Sequence, residues 1–420
     1  MKIIIFFLFL FTISCNKQTS DNLVDINFYI NQGEKIKIIK EPSLAKKDIY
    51  LLKKIQNLKF SSYKNWVEQN YNSNNFITPS KLRINKKKKY INKKIDNFII
   101  YEKKIITIDK KSNIQIYDLN FNKIISSKIY NRKTYKNFDL TFKILTQNNN
   151  LFISDNLGNI HAYDLENLKI IWKKNFAVPF VSSIKIHKNN LFLLNTNSKL
   201  FSLNSNTGNI NWTYETSSKN LKDKESYRIA IYKDKLFFTN DSSEIYCINL
   251  NNNSIIWSLV FESENFQNSP LILKYSPITI DSNGNLFISS NLGRTHKIDS
   301  ETGVVKWSTP IFSSNRFLNT EKYLLNVYKD RLFILDKFSG KVLFNQKIIN
   351  LLDQNKKFIF KDLVVGSSKI YLFDVNGYIA SIDLNNVQNY RIEKEIKSYT
   401  DLIIFENNLF VSSNDSINKF

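Results

Sequence analysis

Two cysteines and three histidines are nearly all that this 420-residue chain offers for nucleophilic, redox or metal chemistry. Cys15 lies at the end of an apolar leader, and Cys247 lies in the apolar run 245–248, where a buried, inert thiol is expected. His161, His187 and His296 are too far apart to share a metal through local spacing. The chain contains no Cys-x-x-Cys pair, phosphate-cradling glycine loop or nucleophile elbow. The expectation is a protein with no catalytic residues, no metal and no cofactor. The residues that do recur at regular spacing are of another kind: tryptophan, aspartate or asparagine, and glycine.

Trp172, Trp212, Trp257 and Trp307 follow one another at intervals of 40, 45 and 50 residues, and Phe344 takes the same place in the next copy. Eight positions before each aromatic stands Asp164, Asn204, Asn249, Asp299 or Asp336. Gly208, Gly303 and Gly340 fall between them, while Leu168 and Asn253 occupy the glycine position in two copies. The aromatic is expected to pack between neighbouring units, since a ring of this size buries a large apolar area. The carboxylate or amide is expected to cap a tight turn through backbone N–H groups, and the glycine to supply the positive φ that follows.

The elements that must position these residues are short strands. Apolar runs follow polar turns at 103–108, 150–154, 190–195, 235–239, 285–289, 322–327, 368–373 and 408–412, and a second strand ends in an aliphatic-Asp/Asn step in most copies. Eight units over residues 61–420 come to 45 residues each, the length of a four-stranded propeller blade. The fold expected is all-β: an eight-bladed propeller of antiparallel four-stranded blades, closed by joining strands from the N- and C-terminal parts of the chain. The last unit reaches Phe420 soon after its strand 416–420, so its outer part is expected from near Trp66 and 76–82.

Composition sets further bounds. At 42% hydrophobic and 14% aromatic the chain is too apolar for disorder, and two cysteines cannot form a disulfide framework. The net charge of +23 suits anionic partners in general. Only 7 of the 60 basic residues are arginine and the lysines are spread along the chain, so no nucleic-acid reader is expected.

Lys2, the apolar run 3–11 and Ser14 form a secretory leader, expected to be removed as residues 1–14, and the run is too short to span a bilayer. Thr12-Ile13-Ser14-Cys15 resembles a bacterial lipobox, whose cysteine is acylated and becomes the mature N-terminus; an ordinary leader that contains a cysteine is the alternative. Residues 15–60 then read as a lipid-anchored tether, with Ile49, Leu51, Leu52, Ile55 and Leu58 spaced for a short helix within 46–58.

The segments running from Asn204 through Thr207-Gly208 to Trp212, and from Asp299 through Thr302-Gly303 to Trp307, resemble the quinoprotein-alcohol-dehydrogenase-like propeller repeat, Asp-x-x-Thr-Gly-x-x-x-Trp. Quinone-dependent dehydrogenases share that repeat and add calcium ligands, a catalytic aspartate and commonly paired cysteines; the chain has no adjacent cysteines. With its lipobox, tether and eight blades, the chain is similar to the BamB family of outer-membrane lipoproteins. That resemblance implies a non-catalytic scaffold on the periplasmic face of the outer membrane, a monomer within a complex. It would bind the POTRA domains of the barrel-inserting protein and assist nascent outer-membrane proteins. The family's partner loop follows a blade's tryptophan. Here 213–228 lacks its Leu-x-Leu-Arg motif, and Lys222, Lys224 and Arg228 are the candidate contacts. A secreted ligand-binding propeller with an aromatic-lined central pocket is the remaining alternative.

Overall fold

A computed structural model describes residues 47–84, 88–91, 95–131, 138–219, 223–261, 272–349 and 356–420. The leader and Cys15 lie outside the described residues, as does Lys222. Each apolar run forms a strand because alternate residues can be buried against the neighbouring blade. Antiparallel hairpins then group the strands into eight sheets. The blades span 95–128, 142–175, 185–215, 229–260, 279–309, 318–347, 360–394 and 401–419, and are numbered 1 to 8 in that order. Each has an inner, second, third and outer strand, and the expected eight-bladed propeller is what is found. No helix among the described residues is long and apolar enough to cross a membrane.

Blade 8 has only three strands of its own. Its fourth is Lys88–Ile91, which pairs antiparallel with Ser416–Lys419 through Lys88↔Lys419 and Ile91↔Ile417. The ring is therefore joined by N- and C-terminal strands as expected, but the joining strand is not near Trp66 or 76–82. Those residues belong to a strap, 61–82, that crosses the axis of the ring.

The strap is extended and visits the inner strands of the blades in turn. Trp66 exchanges backbone hydrogen bonds with Ile100 of blade 1 (2.6 and 3.1 Å), and Thr146 of blade 2 donates to the Val67 carbonyl (3.1 Å). Lys185 of blade 3 donates its ammonium to the Asn72 carbonyl (3.0 Å). Ile231 of blade 4 donates to Ser73, Ile280 of blade 5 to Asn74, and Asn319 of blade 6 to Ile77. Ser80 donates to Val365 of blade 7, and Glu406 of blade 8 donates to Tyr63. The Asn75 amide bridges two blades, donating to Ile229 (3.1 Å) and Ile278 (2.7 Å). A turn-forming asparagine at φ +54° there, and Tyr71 at φ +79°, let the strap curl around the axis.

The stretch expected as helix is extended in its described part. Ile49–Tyr50 pairs with the outer strand of blade 6, Leu51 and Leu52 donate to Leu343, and Ile55 donates to Leu384 of blade 7. The apolar spacing that fits a helix serves here to bury Ile55 and partly bury Leu52 and Leu58 against the blades. Backbone partners on two blades replace the helix's internal bonds.

Between blades, the recurrent residues form one coupling device. The Trp172 indole of blade 2 donates to the Ser205 carbonyl of blade 3 (2.8 Å), Trp257 of blade 4 to Ser300 of blade 5 (3.1 Å), and Trp307 of blade 5 to Lys337 of blade 6 (3.2 Å). Each ring lies over the glycine of the receiving turn: a Cβ on Gly208 would come within 2.6 Å of Trp172, and one on Gly303 within 2.8 Å of Trp257. Leu168 and Asn253 keep the positive φ of the glycine position, at +52° and +60°. Blade 1 presents no tryptophan to Leu168, and Trp212 of blade 3, which packs against blade 4, is only half-buried. The turn itself is held as expected. Asp164 accepts from Glu166 and Asn167, Asn204 from Asn206 and Thr207, and Asp299 from Glu301 and Thr302. A bond from Lys306, with those backbone donors, pulls the Asp299 carboxyl down to about 2.

Two measurements of unfolding midpoints check this account. Gly208→Ala forces both a strained φ and a clash with Trp172, and is expected to cost about 2–4 kcal/mol; Asn253→Gly, at an exposed turn, is expected to change stability by under about 1 kcal/mol. The second concerns the strap, which buries Glu68 against Lys185 of blade 3 at 2.8 Å with both side chains excluded from solvent. Lys185→Met leaves the Glu68 charge unpaired and is expected to cost about 3–5 kcal/mol, while pairing it with Glu68→Leu recovers most of the loss.

Candidate functional site

The strap closes the axis towards the ends of the inner strands and leaves it open where several of those strands begin. The result is an axial funnel of about 280 Å³ whose floor is Gln69, Asn70 and Asn75. Its walls come from the connections that lead out of one blade's outer strand into the next blade's inner strand. Those connections and the starts of the inner strands carry charge: Lys143, Lys224, Arg228, Arg316 and Lys361 face Glu225, Asp362 and Asp401 around one cavity.

Arg316 is buried and organises one wall. Its Nε donates to Asp362 Oδ1 (2.9 Å), and its Nη2 donates to Asp362 Oδ2 and to Asp401 Oδ1 (3.1 Å). The remaining nitrogen reaches the Gln69 carbonyl of the floor (3.3 Å), and the guanidinium sits 5.8 Å from the Trp66 ring. Tyr399 completes the group by donating to Asp362 Oδ2 (2.9 Å). Burial opposes the Arg316 charge, but Asp362 and Asp401 outweigh it and hold the guanidinium above its ordinary value. Burial likewise pushes the Asp401 carboxyl up to about 6, against the pull of Arg316.

On the opposite side, Lys143 donates to the Gln69 side-chain oxygen (2.9 Å). Burial brings its ammonium down to about 8. Asp96 opposes that shift, and the nearby charges of Lys224 and Arg228 add to it. Arg228 is half-buried and donates Nε to the Tyr275 carbonyl (2.8 Å), while Lys224 is exposed at the mouth.

Of the candidate contacts read from sequence, Lys224 and Arg228 thus meet at the funnel. Lys143, Arg316, Lys361, Asp362, Tyr399 and Asp401 were missed. A signal for four of them was present: Lys143, Lys361, Asp362 and Asp401 place charge within the first three positions of inner strands that are otherwise largely apolar. Arg316 gave none, because only the packing of successive blades brings it beside Asp362, 46 residues on. His161 is buried and His296 half-buried, in different blades, and desolvation lowers both to about 4; His187 contacts Asp234 on blade 4. The Cys247 thiol is buried and pushed up to about 12 by that burial.

A family model described as "Outer membrane protein assembly factor BamB" matches residues 139–346, which hold blades 2 to 6. The chain belongs to the BamB-type, PQQ-like propeller family. No curated protein matches the sequence. Among solved structures, BamB from Moraxella catarrhalis is similar at 13% identity with a TM-score of 0.66, over 80% of this chain and 98% of that one. A europium-containing methanol dehydrogenase is similar at 9% identity and TM-score 0.63, over 84% and 89%. A quinohemoprotein alcohol dehydrogenase from Comamonas testosteroni is similar at 8% and 0.63, over 86% and 81%. At such identities the likeness to these structures is one of fold.

The dehydrogenase folds raise the question of a metal-supported quinone in the funnel. The donor set does not fit one. Asp362 gives both oxygens to Arg316, Asp401 shares the same guanidinium, and among the described residues no three His, Cys, Asp or Glu side chains come together to hold a metal ion.

The Arg316 wall has a signed pH dependence. In Arg316→Gln, the Asp401 carboxyl loses the counter-charge that opposes its upward shift, and its folded-state pKa rises further above the unfolded one. The folded state then binds more protons than the unfolded state near neutrality, so stability is lost as pH rises. The deficit in melting temperature relative to the unaltered protein is expected to be larger at pH 8 than at pH 5. A deficit independent of pH would contradict this reading of the wall.

Proposed function

We propose that the chain is a non-catalytic scaffold of the periplasmic face of the outer membrane. It would be anchored through acylated Cys15 and bind the barrel-assembly machinery through its POTRA-bearing, barrel-inserting subunit. The observation that carries the reading is the BamB family match across blades 2 to 6, on a chain that builds the whole eight-bladed ring. A rigid ring that holds inter-blade loops in place suits multivalent surface contact. The contacts proposed are Lys222, Lys224 and Arg228, of which Lys224 stands exposed at the funnel mouth. Nascent outer-membrane proteins are the second proposed partner.

The alternative, a quinone-dependent dehydrogenase, draws on the fold of the dehydrogenase neighbours. It lacks a donor set among the described residues, since Arg316 occupies the funnel carboxylates. The ligand-binding alternative asked for an aromatic-lined pocket. Tyr227 and Tyr399 do line the funnel, within a wall that is otherwise largely polar and charged.

The scaffold reading is tested by affinity capture of the tagged, full-length chain from gently solubilised membranes, followed by mass spectrometry. Recovery of a POTRA-containing barrel protein, reduced severalfold by Lys224→Glu with Arg228→Glu, is the expected result. Absence of that protein would remove the scaffold claim. For the anchor, metabolic labelling with a palmitate analogue is expected to mark the chain and to be lost in Cys15→Ala; an unlabelled chain would leave the ordinary-leader reading.

A further inference from the structure

The cations of the funnel are not equally neutralised. Arg316 is matched by two carboxylates, yet among the described residues Lys143, Lys224, Arg228 and Lys361 make no ion pair within 4.0 Å. Glu225 lines the same cavity and attracts Arg228 without pairing to it, and lies 3.7 Å from Lys274. Four unpaired cations therefore surround one cavity, and the deepest of them, Lys143, has a neutral amide oxygen as its hydrogen-bond partner. Like charges gathered in a partly desolvated site repel one another, a cost that an anion placed between them removes.

We propose that the axial funnel is a binding site for a small, multiply charged oxyanion, held between Lys143 and Arg228 with Lys224 and Lys361 at the mouth. The volume of about 280 Å³ suits a compact ligand and excludes a folded partner. Two or more negative charges are required, because the free cations stand on separate blades: Lys143 on blade 2, Arg228 at the start of blade 4, and Lys361 on blade 7. The class is shared by polycarboxylates and by diphosphates, since both present several charged oxygens to ammonium and guanidinium donors. The lowered proton affinity of Lys143 agrees with this, since a bound anion would stabilise the ammonium and raise it again. The site is independent of the scaffold reading, as a soluble ligand can occupy it with or without a protein partner.

Isothermal titration of the purified protein at low ionic strength tests the site, with citrate and inorganic pyrophosphate as probes and acetate as the monovalent control. A one-to-one complex with at least one multivalent probe, and none with acetate, is expected; the tighter probe identifies carboxylate or phosphate chemistry. Lys143→Met and Arg228→Gln are each expected to weaken binding at least about tenfold. Lys369→Gln, at an exposed position on blade 7, leaves it unchanged. Melting curves of each variant show whether it is folded; Arg228→Gln removes a half-buried charge and keeps the test standing if Lys143→Met does not fold. No saturable binding of either probe would overturn the proposal, as would binding that neither funnel variant alters.

Discussion

The inner edge of every blade carries backbone groups that face the axis of the ring, and those groups must find partners. A blade-to-blade contact cannot supply them, because neighbouring blades pack face against face. Water could supply them in an open channel. Here a single extended strap does so through backbone bonds to seven blades, and it meets blade 3 through the Lys185 ammonium. An unpaired buried backbone group costs about 1–3 kcal/mol. The strap thus replaces what would be a wet pore with a common floor, and the same floor shapes the funnel above it.

Outward from that floor, the blades are coupled by tryptophan and glycine acting as a pair. The indole of one blade donates to the next blade's turn and lies on it, and the turn must therefore be bare at that spot. Where the preceding blade presents no tryptophan, as at Leu168, a side chain takes the same positive φ without conflict. The glycine pattern is thus set less by the turn's conformation than by the ring that lands on it.

This explains what could be read in advance. The eight units, their strand-rich composition and their turn residues are local properties of 40–50 residues, so spacing alone exposes them. The strap was misplaced for a related reason. Trp66 and 76–82 look like strand material, and an incomplete last blade asks for a strand, but Lys88–Ile91 answers that demand. The apolar spacing in 46–58 fits a helix equally well as an extended run that alternately meets blades 6 and 7. The funnel residues were legible only where charge interrupts an inner strand, as at Lys143 and Asp401. The Arg316 wall joins residues of successive blades 46 and 85 positions apart, and no local pattern announces it.

The central claim is that the strap completes the inner strands of the ring. Native-state hydrogen exchange reads this directly, because the amides of Ile100, Thr146, Ile231, Ile280, Asn319 and Glu406 donate to strap carbonyls. Protection at these amides comparable to that of the second strands of the same blades is the predicted result. Rapid exchange at the inner strands, with the second strands still protected, would show an open axis and contradict the account.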